Sequence, residues 1–504
     1  MRRLGRRALS LGAANAIDYA TQFLLPVVLT RCLDATAFGQ YRLLWLAVGT
    51  VLAVVTLAMP GSLYYYLPRS DGAAKRLYIN QTLAVFAACG LIGGWVVSIW
   101  NPWLPEKLYG LAQSEAVVPA FVLLWVVASL LDLLPTVEER VAWQAKATVG
   151  LAAVRAAALS VAAALTGELA PVLLTLLAFV AFKVALLLYY VAAYHGLRGP
   201  ILRRDAFADQ LRLAAPFWAS GALYGLRAQA DQWVAAALFS LHQFASFSIA
   251  GVLGPLLNLF RQSVNHAFLP SMSRLQAAGD INAMLELNSR ANVMVGALAY
   301  PLLAFAFVFA EEIVTIVYTA TYVDAAPVMR VYIAGFATLV VELASVTLLL
   351  RQGAFVLGLN VATLILSVAL NWYAAQHIGL VGAAVGTVIT TYIDRVATLW
   401  CIARRTSVPF HRLQDWHALG LTLLYAALAA VLAWGAIDRY FGAGGALFRL
   451  AAGGALLTAA YAAMVVLSGM DRRWLALVRS PETAHPDHAN GRNTTHSEPT
   501  ILDR

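Results

Sequence analysis

Charge is scarce in this 504-residue chain: Asp, Glu, Lys and Arg together make up 12%, against 61% hydrophobic residues. A soluble globular chain carries about 25% charged residues, so a water-soluble fold is excluded. Cysteine is nearly absent. The three present, Cys32, Cys89 and Cys401, lack metal-ligand spacing, which removes a disulfide framework and a metal site from consideration. No Gly-rich loop running into Lys and Ser/Thr is present, so nothing supports direct nucleotide hydrolysis. Long polar loops are missing too. The longest outside loops, about Asn101–Ala116 and Ala310–Ala326, are short for a membrane-embedded glycosyltransferase or polysaccharide polymerase, which needs an external loop carrying catalytic carboxylates.

What the chain has instead is apolar length. Segments of roughly twenty residues tile it from Leu11 to Leu467, the length a helix needs to cross a hydrocarbon core about 30 Å thick. Only helices or closed barrels can cross, and the alternation expected of barrel strands is absent. The sequence predicts an all-α polytopic membrane protein with about fourteen transmembrane helices. The expected spans are Leu11–Thr30, Leu43–Leu67, Tyr78–Trp100, Val117–Val137, Ala147–Leu165, Pro171–Tyr194 and Leu213–Ser240. The series continues with Phe244–Leu269, Asn292–Phe309, Pro327–Leu350, Ala354–Tyr373, Leu380–Ala403, Trp416–Ile437 and Ala446–Leu467.

The formal net charge of +9 follows this layout. With the N-terminus in the cytoplasm, about 24 of the 35 Lys and Arg fall on cytoplasmic segments, as the positive-inside bias requires. They run from Arg2, Arg3, Arg6 and Arg7 through Arg404, Arg405 and Arg412 to Arg472, Arg473 and Arg479. Both termini are therefore expected inside a plasma membrane, and nucleic acid is not an expected partner. The Arg-rich start is read as the first span rather than a signal peptide. Its apolar run is too long, holds Asn15, Asp18 and Gln22, and has no small-residue cleavage site after it. Residues 471–504 read as a disordered cytoplasmic tail, with His485, His488 and His496 solvated.

The chain also repeats itself. Phe38-Gly39-Gln40-Tyr41 follows the first span and Phe244-Ala245-Ser246-Phe247 the seventh, 206 residues on. Tyr66-Leu67-Pro68-Arg69 ends the second span and Phe268-Leu269-Pro270-Ser271 the eighth, 202 residues on. Spans one and seven run in the same direction, so two pseudo-symmetric six-helix lobes are expected about an axis along the membrane normal. The expected division is an N-terminal lobe over 1–194, a cytoplasmic linker over 195–212, and a C-terminal lobe over 213–405. Two additional transmembrane helices follow over 406–470, then the tail over 471–504.

Function then rests on the polar groups kept within the spans. A charge at the bilayer centre costs about 2.5–3.5 kcal/mol on insertion scales, so each needs a partner or a wet cavity. Ser220, Tyr224, Arg227 and Asp231 share one face of span seven, where Arg227 and Asp231 can pair. Asp18 and Gln22 with Asn15 share a face of span one, and Asn258, Arg261 and Asn265 a face of span eight. Asp132, Arg155, Lys183, Glu342, Asp394 and Arg395 lie elsewhere in spans. A structural ion pair accounts for Arg227 and Asp231 equally simply. Three polar faces together point to a hydrated cavity in which Asp18, Gln22, Tyr224, Arg227, Asp231, Arg261 and Asn265 meet substrate. Cations there suit phosphate and amides suit sugar hydroxyls. Glu342 and Asp231 are the candidate ion-coupling carboxylates, and no cofactor or metal is called for. Pro26, Pro60, Pro255 and Pro301 fall inside spans and are expected to kink them.

Several short motifs resemble one family. Leu29-Thr30-Arg31-Cys32-Leu33 with Phe38-Gly39-Gln40-Tyr41 is similar to the opening of polysaccharide exporters of the multidrug/oligosaccharidyl-lipid/polysaccharide (MOP) superfamily. Ala214-Ala215-Pro216-Phe217-Trp218, Asp231-Gln232-Trp233 and Phe268 to Leu275 resemble the start of its second half. Glu312-Ile313-Val314 through Tyr322, Ala326 to Arg330, and Asn371 with Gly379 to Ala384 resemble later stretches. The likeness covers about residues 10–405. It implies a MATE-like pair of lobes, alternating access and, in the Wzx-type branch, flipping of an undecaprenyl-diphosphate-linked oligosaccharide. Membrane lipids, a polysaccharide polymerase and glycosyltransferases would then be partners. Only Asp231, and less directly Arg227, carry over as cavity residues. A multidrug/cation antiporter shares the fold and remains an alternative, as does a membrane-embedded glycosyltransferase from a different class.

Overall fold

The computed structural model describes residues 2–55, 59–98, 100–102, 116–196, 199–442 and 444–470. The expected tail, with His485, His488 and His496, and most of the Asn101–Ala116 loop lie outside the described residues. Every regular element among those described is helical. The first half runs α1 (Arg2–Cys32), α2 (Ala35–Val55), α3 (Met59–Tyr66), α4 (Gly72–Val96), α5 (Val117–Ala128), α6 (Leu134–Val137), α7 (Val141–Thr166) and α8 (Leu169–His195). The second half begins with α9 (Arg204–Leu238), α10 (Leu241–Ala250), α11 (Leu253–Ala277), α12 (Ile281–Val308) and α13 (Ala310–Tyr318). It continues with α14 (Ala325–Leu339), α15 (Ala344–Leu349), α16 (Gly353–Ile378) and α17 (Gly382–Thr406), followed by α18 (Trp416–Phe441) and α19 (Ala446–Leu467).

Ten of these stretches are long and apolar enough to cross a membrane, one of them the hairpin Gly353–Thr406. That measure covers every expected span except the first, seventh and tenth, so it does not reach fourteen. The polar residues of α1 and α9 lower their hydropathy, and α14 stops short at Leu339. All three exceptions line the cavity described below.

Local sequence sets the breaks. Asp34 Oδ1 accepts the Thr36 and Ala37 amides, both at 2.8 Å, and so starts α2. Ser240 and Gln243 form a reciprocal capping box at the start of α10. Gly167, at φ 66°, ends α7 in the left-handed conformation that glycine adopts without penalty. Two of the four prolines differ from expectation. Pro26 and Pro301 lie inside α1 and α12, but Pro60 and Pro255 sit in the first turns of α3 and α11, where a missing N–H costs nothing.

The halves meet through α2, which packs on α9 and α10. Trp233 Nε1 donates to Thr50 Oγ1 at 2.8 Å, and Trp218 Nε1 to the Val54 carbonyl at 2.6 Å, tying α9 along α2. Elsewhere α1 lies against α7, α16 against α17, α9 against α16, and α12 against α18. Between α14 and α15 the chain leaves the helix at residues 340–343. The freed Glu342 backbone is taken up by α12: Asn292 Oδ1 accepts its N–H at 3.0 Å, and Asn288 and Asn292 donate to its carbonyl. A helix broken in the bilayer is tolerable only with such replacement partners.

Candidate substrate cavity

A cavity of about 1320 Å³ opens among α1, α2, α9, α10, α11, α14, α16 and α17. Its polar wall is built at helical spacing. On α9, Tyr224, Arg227 and Asp231 follow one another at three and four residues. On α17, Thr387, Thr391, Asp394 and Thr398 repeat the same period, with Arg395 alongside. Arg42 on α2 and Arg261 on α11 complete the charged set. Four guanidinium groups thus face two carboxylates, Asp231 and Asp394, among the described lining residues. Tyr19, Phe23, Tyr332 and Phe336 supply aromatic surface, and Gln22, Asn258 and Asn360 supply amides.

The pairing differs from expectation. The carboxylate on Arg227 is Asp394, at 3.2 Å from Nη1, with Asn360 Oδ1 at 2.9 Å, rather than Asp231 on its own helix. Helix α17 approaches α9 closely enough to put its carboxylate there. Asp231 is buried, accepts the Tyr332 hydroxyl at 2.7 Å and takes the Gln232 amide at 2.7 Å. Among the described residues no carboxylate bonds Arg261. Its Nη2 donates to Asn258 Oδ1 at 3.0 Å, and its Nε is buried without a partner, as is Arg395 Nε. Arg395 lies within electrostatic reach of Arg261 and Arg227 as well as of the carboxylates of Asp394 and Glu342. Like charges gathered at low dielectric repel strongly, which makes the site receptive to an anion.

Of the residues expected in the cavity, Gln22, Tyr224, Arg227, Asp231 and Arg261 line it. Asp18 and Asn265 do not, and neither does Glu342, expected as an ion-coupling carboxylate. Asp18 is paired with Arg155 of α7 at 2.9 Å and accepts the Gln22 amide at 2.7 Å. Asn265 exchanges hydrogen bonds with Ser345 of α15. The Glu342 carboxylate accepts the amides of Ala344 and Ser345, at 2.8 and 3.3 Å for Oε1, and so caps α15. Sequence reasoning missed Arg42, which lies one residue before the expected second span, and the α17 stripe, whose period was present but unread.

At the end where α1 stops, the halves are closed on each other. Arg31 donates to the Ile316 and Val317 carbonyls, capping the last turn of α13. Tyr322 takes the edge of Phe38 at 5.8 Å and stacks on His242 at 6.3 Å. The other end of α13 is held by Arg449 of α19, 3.0 Å from Glu312.

A polytopic helical bundle with a charged cavity between its halves is the architecture of a membrane transporter. Residues 28–327 match the model of a family described as polysaccharide biosynthesis protein, and the chain belongs to that family. Its fold is that of the MOP superfamily. The lipid II flippase MurJ in an inward closed conformation is similar with a TM-score of 0.65 at 12% identity, over 92% of this chain and 99% of that one. An inward-facing MATE family multidrug resistance transporter of the MOP superfamily has a TM-score of 0.58 at 12% identity, over 78% and 96%. A MOP superfamily transporter from Pyrococcus furiosus, whose binding pocket is described as reversed in polarity, has a TM-score of 0.52 at 13% identity, over 80% and 95%. A comparison with curated protein sequences finds no match.

Proposed function

We propose that the protein is a flippase, moving a polyprenyl-diphosphate-linked oligosaccharide, a precursor of cell-surface polysaccharide, across the bacterial plasma membrane by alternating access. The observation that carries this reading is the excess of guanidinium over carboxylate in the cavity wall. A diphosphate brings about two negative charges into low dielectric and needs cations close by. Hydrogen bonds between such ionised groups are roughly twice as strong as neutral ones. An antiporter of cationic drugs needs the opposite balance.

In this reading residues 1–194 and 213–405 move as lobes about the linker 195–212, with 406–470 an appendage. Both termini are cytoplasmic. The face closed by Arg31 is then the outer one, and the cavity receives substrate from inside. Asp231, buried beside the arginines, is the first choice for a coupling carboxylate, with Glu342 the second. The protein does no covalent work; glycosyltransferases build the substrate and a polymerase consumes the product. Purified protein in liposomes should carry a fluorescent lipid-linked oligosaccharide to the opposite leaflet with its mass unchanged. Sugar transfer or chain elongation by the purified protein would overturn the reading in favour of an enzyme.

A further inference from the structure

We infer that the α1 side of this cavity is a saccharide subsite, distinct from the arginine side that takes phosphate, in which Tyr19, Phe23 and Tyr224 stack on pyranose rings and Gln22 accepts a sugar hydroxyl. The inference rests on the flippase reading and adds how the sugar is held. Tyr19, Gln22 and Phe23 stand at positions i, i+3 and i+4 of α1, on one face, and all three line the cavity. Other cavity rings are covered: Tyr332 stacks on Phe336 at 5.9 Å, and Phe38 packs on Tyr41 and Tyr322. Tyr19, Phe23 and Tyr224 keep their faces open among the described residues, at 47%, 42% and 62% exposure. An aromatic face left open inside a polar cavity suits the C–H face of a hexopyranose, which is apolar in one direction and hydroxylated around its rim.

Gln22 adds direction. Its Nε2 donates to Asp18 Oδ2 at 2.7 Å, and Asp18 Oδ1 accepts from Arg155 at 2.9 Å. An ionised carboxylate only accepts, so the amide NH₂ must face Asp18 and Oε1 is left for the cavity. An oxygen acceptor is useless to a diphosphate, which has only acceptors of its own, but fits a hydroxyl donor. The Arg155–Asp18 pair is thus a positioning device for Gln22, which explains a charged pair kept beside the cavity rather than in its wall. On α9, Tyr224 precedes Arg227 by three residues, about 4.5 Å along the helix axis. That is the scale on which the first sugar follows the phosphate it is esterified to. The two sides of the subsite come from the two halves of the chain, α1 and α9, so a sugar between them reports on how far those halves have closed.

Binding of farnesyl diphosphate and of the same lipid carrying N-acetylglucosamine to the full-length protein in detergent tests this, with wild type, Tyr19→Leu/Phe23→Leu, Tyr224→Leu and Tyr224→Phe compared. Wild type should bind the glycosylated lipid more tightly than the bare one. The leucine variants should lose about tenfold on the glycosylated lipid, the scale of one stacked contact, while binding the bare lipid as wild type does. That unchanged bare-lipid affinity also shows the variants to be folded. Tyr224→Phe keeps the ring and should keep the sugar preference. Equal wild-type affinity for the two lipids, or leucine variants that retain the preference, would overturn the subsite and leave the phosphate reading standing. Wild-type binding of neither lipid would remove the flippase reading itself.

Discussion

Arg42 donates from Nε to Ser248 Oγ at 3.0 Å and from Nη2 to the Ser248 carbonyl at 3.2 Å, across 206 residues of sequence. The same offset separates Phe38 from Phe244 and the helix-capping Asp34 from the helix-capping Ser240. Equivalent positions of an internal repeat are therefore in contact, which happens only close to the axis that relates the copies. Here the second helix of each half begins, and here the cavity is roofed by residues of both.

Gly39 sits at this junction. A Cβ there would stand 2.2 Å from the Leu241 carbonyl oxygen, a backbone atom that cannot turn away. Gly39→Ala should force α2 and α10 apart and destabilise the protein by about 1–3 kcal/mol, the usual cost of overpacking. Gly12, with nothing within 4 Å, is the control: Gly12→Ala should be neutral or stabilising, because alanine favours the helix. Thermal unfolding in detergent separates the two, and a Gly39→Ala protein as stable as wild type would show that the junction is loose.

Much of this was legible in the sequence, for a physical reason. A bilayer demands a minimum apolar length, so helix positions show as runs of Leu, Val and Ala whatever the tertiary packing. A helical face has a fixed period, so Tyr224, Arg227 and Asp231 were visible as neighbours. Which helix supplies the partner is set by packing between segments far apart in sequence. That is why Arg227 turns to Asp394 on α17 rather than to Asp231 on its own helix, and why Asp18 meets Arg155 on α7. The partners of Glu342 were hidden for a related reason. In a continuous helix it would be an unpaired buried carboxylate, but the break at 340–343 makes it a cap.

Arg31 gives a test of the closed face. Its guanidinium is held by the Ile316 and Val317 carbonyls, and hydrogen bonds to a charged group contribute about 1.5–3 kcal/mol each. Arg31→Ala should shift the population toward a conformation open on that face. With Cys32, Cys89 and Cys401 replaced, a Thr391→Cys reporter in the cavity should react with an impermeant maleimide about tenfold faster in the Arg31→Ala background, since tenfold needs only about 1.4 kcal/mol. Unchanged labelling would mean that other contacts keep the face shut.

Glu138 predicts a pH response. It lies beyond the end of the fourth apolar stretch, 2.7 Å from His195 Nε2, with the Tyr190 hydroxyl at 2.5 Å and Arg140 at 3.9 Å. Burial pushes the carboxyl up, but the hydrogen bonds from His195 and Tyr190 and the charges of His195 and Arg140 outweigh it, leaving it below the usual carboxylate range. The folded state therefore holds this proton less tightly than the unfolded chain. Its stabilisation is complete above the ordinary Glu pKa of about 4.3 and is lost as pH falls through the lower folded value. Glu138→Gln should lower Tm at pH 7 and flatten the fall in Tm on acidification below about pH 4.3. Parallel Tm profiles for the two proteins would sink the assignment.

The cavity arginines carry the largest prediction, and they are not equivalent. Arg227 is tied to Asp394, and removing one partner of a half-buried pair leaves an uncompensated charge that costs about 3–5 kcal/mol when fully buried. Arg227→Ala therefore mixes lost binding with lost stability, and the clean version is Arg227→Ala with Asp394→Asn. Arg227→Lys should fail partially, because a point charge replaces a planar fork. Asp231→Asn should be mild if the group only faces substrate and severe if it couples an ion. Among the described residues Arg261 and Arg395 have no directly bonded carboxylate, and each keeps a buried Nε without a partner, so neither replacement breaks an ion pair. Arg261→Ala with Arg395→Ala should abolish flipping of a diphosphate-linked lipid in liposomes while expression and Tm stay near wild type. Full transport by that double variant would show that the phosphate does not sit on these arginines, and the charge argument against a drug antiporter would fall with it.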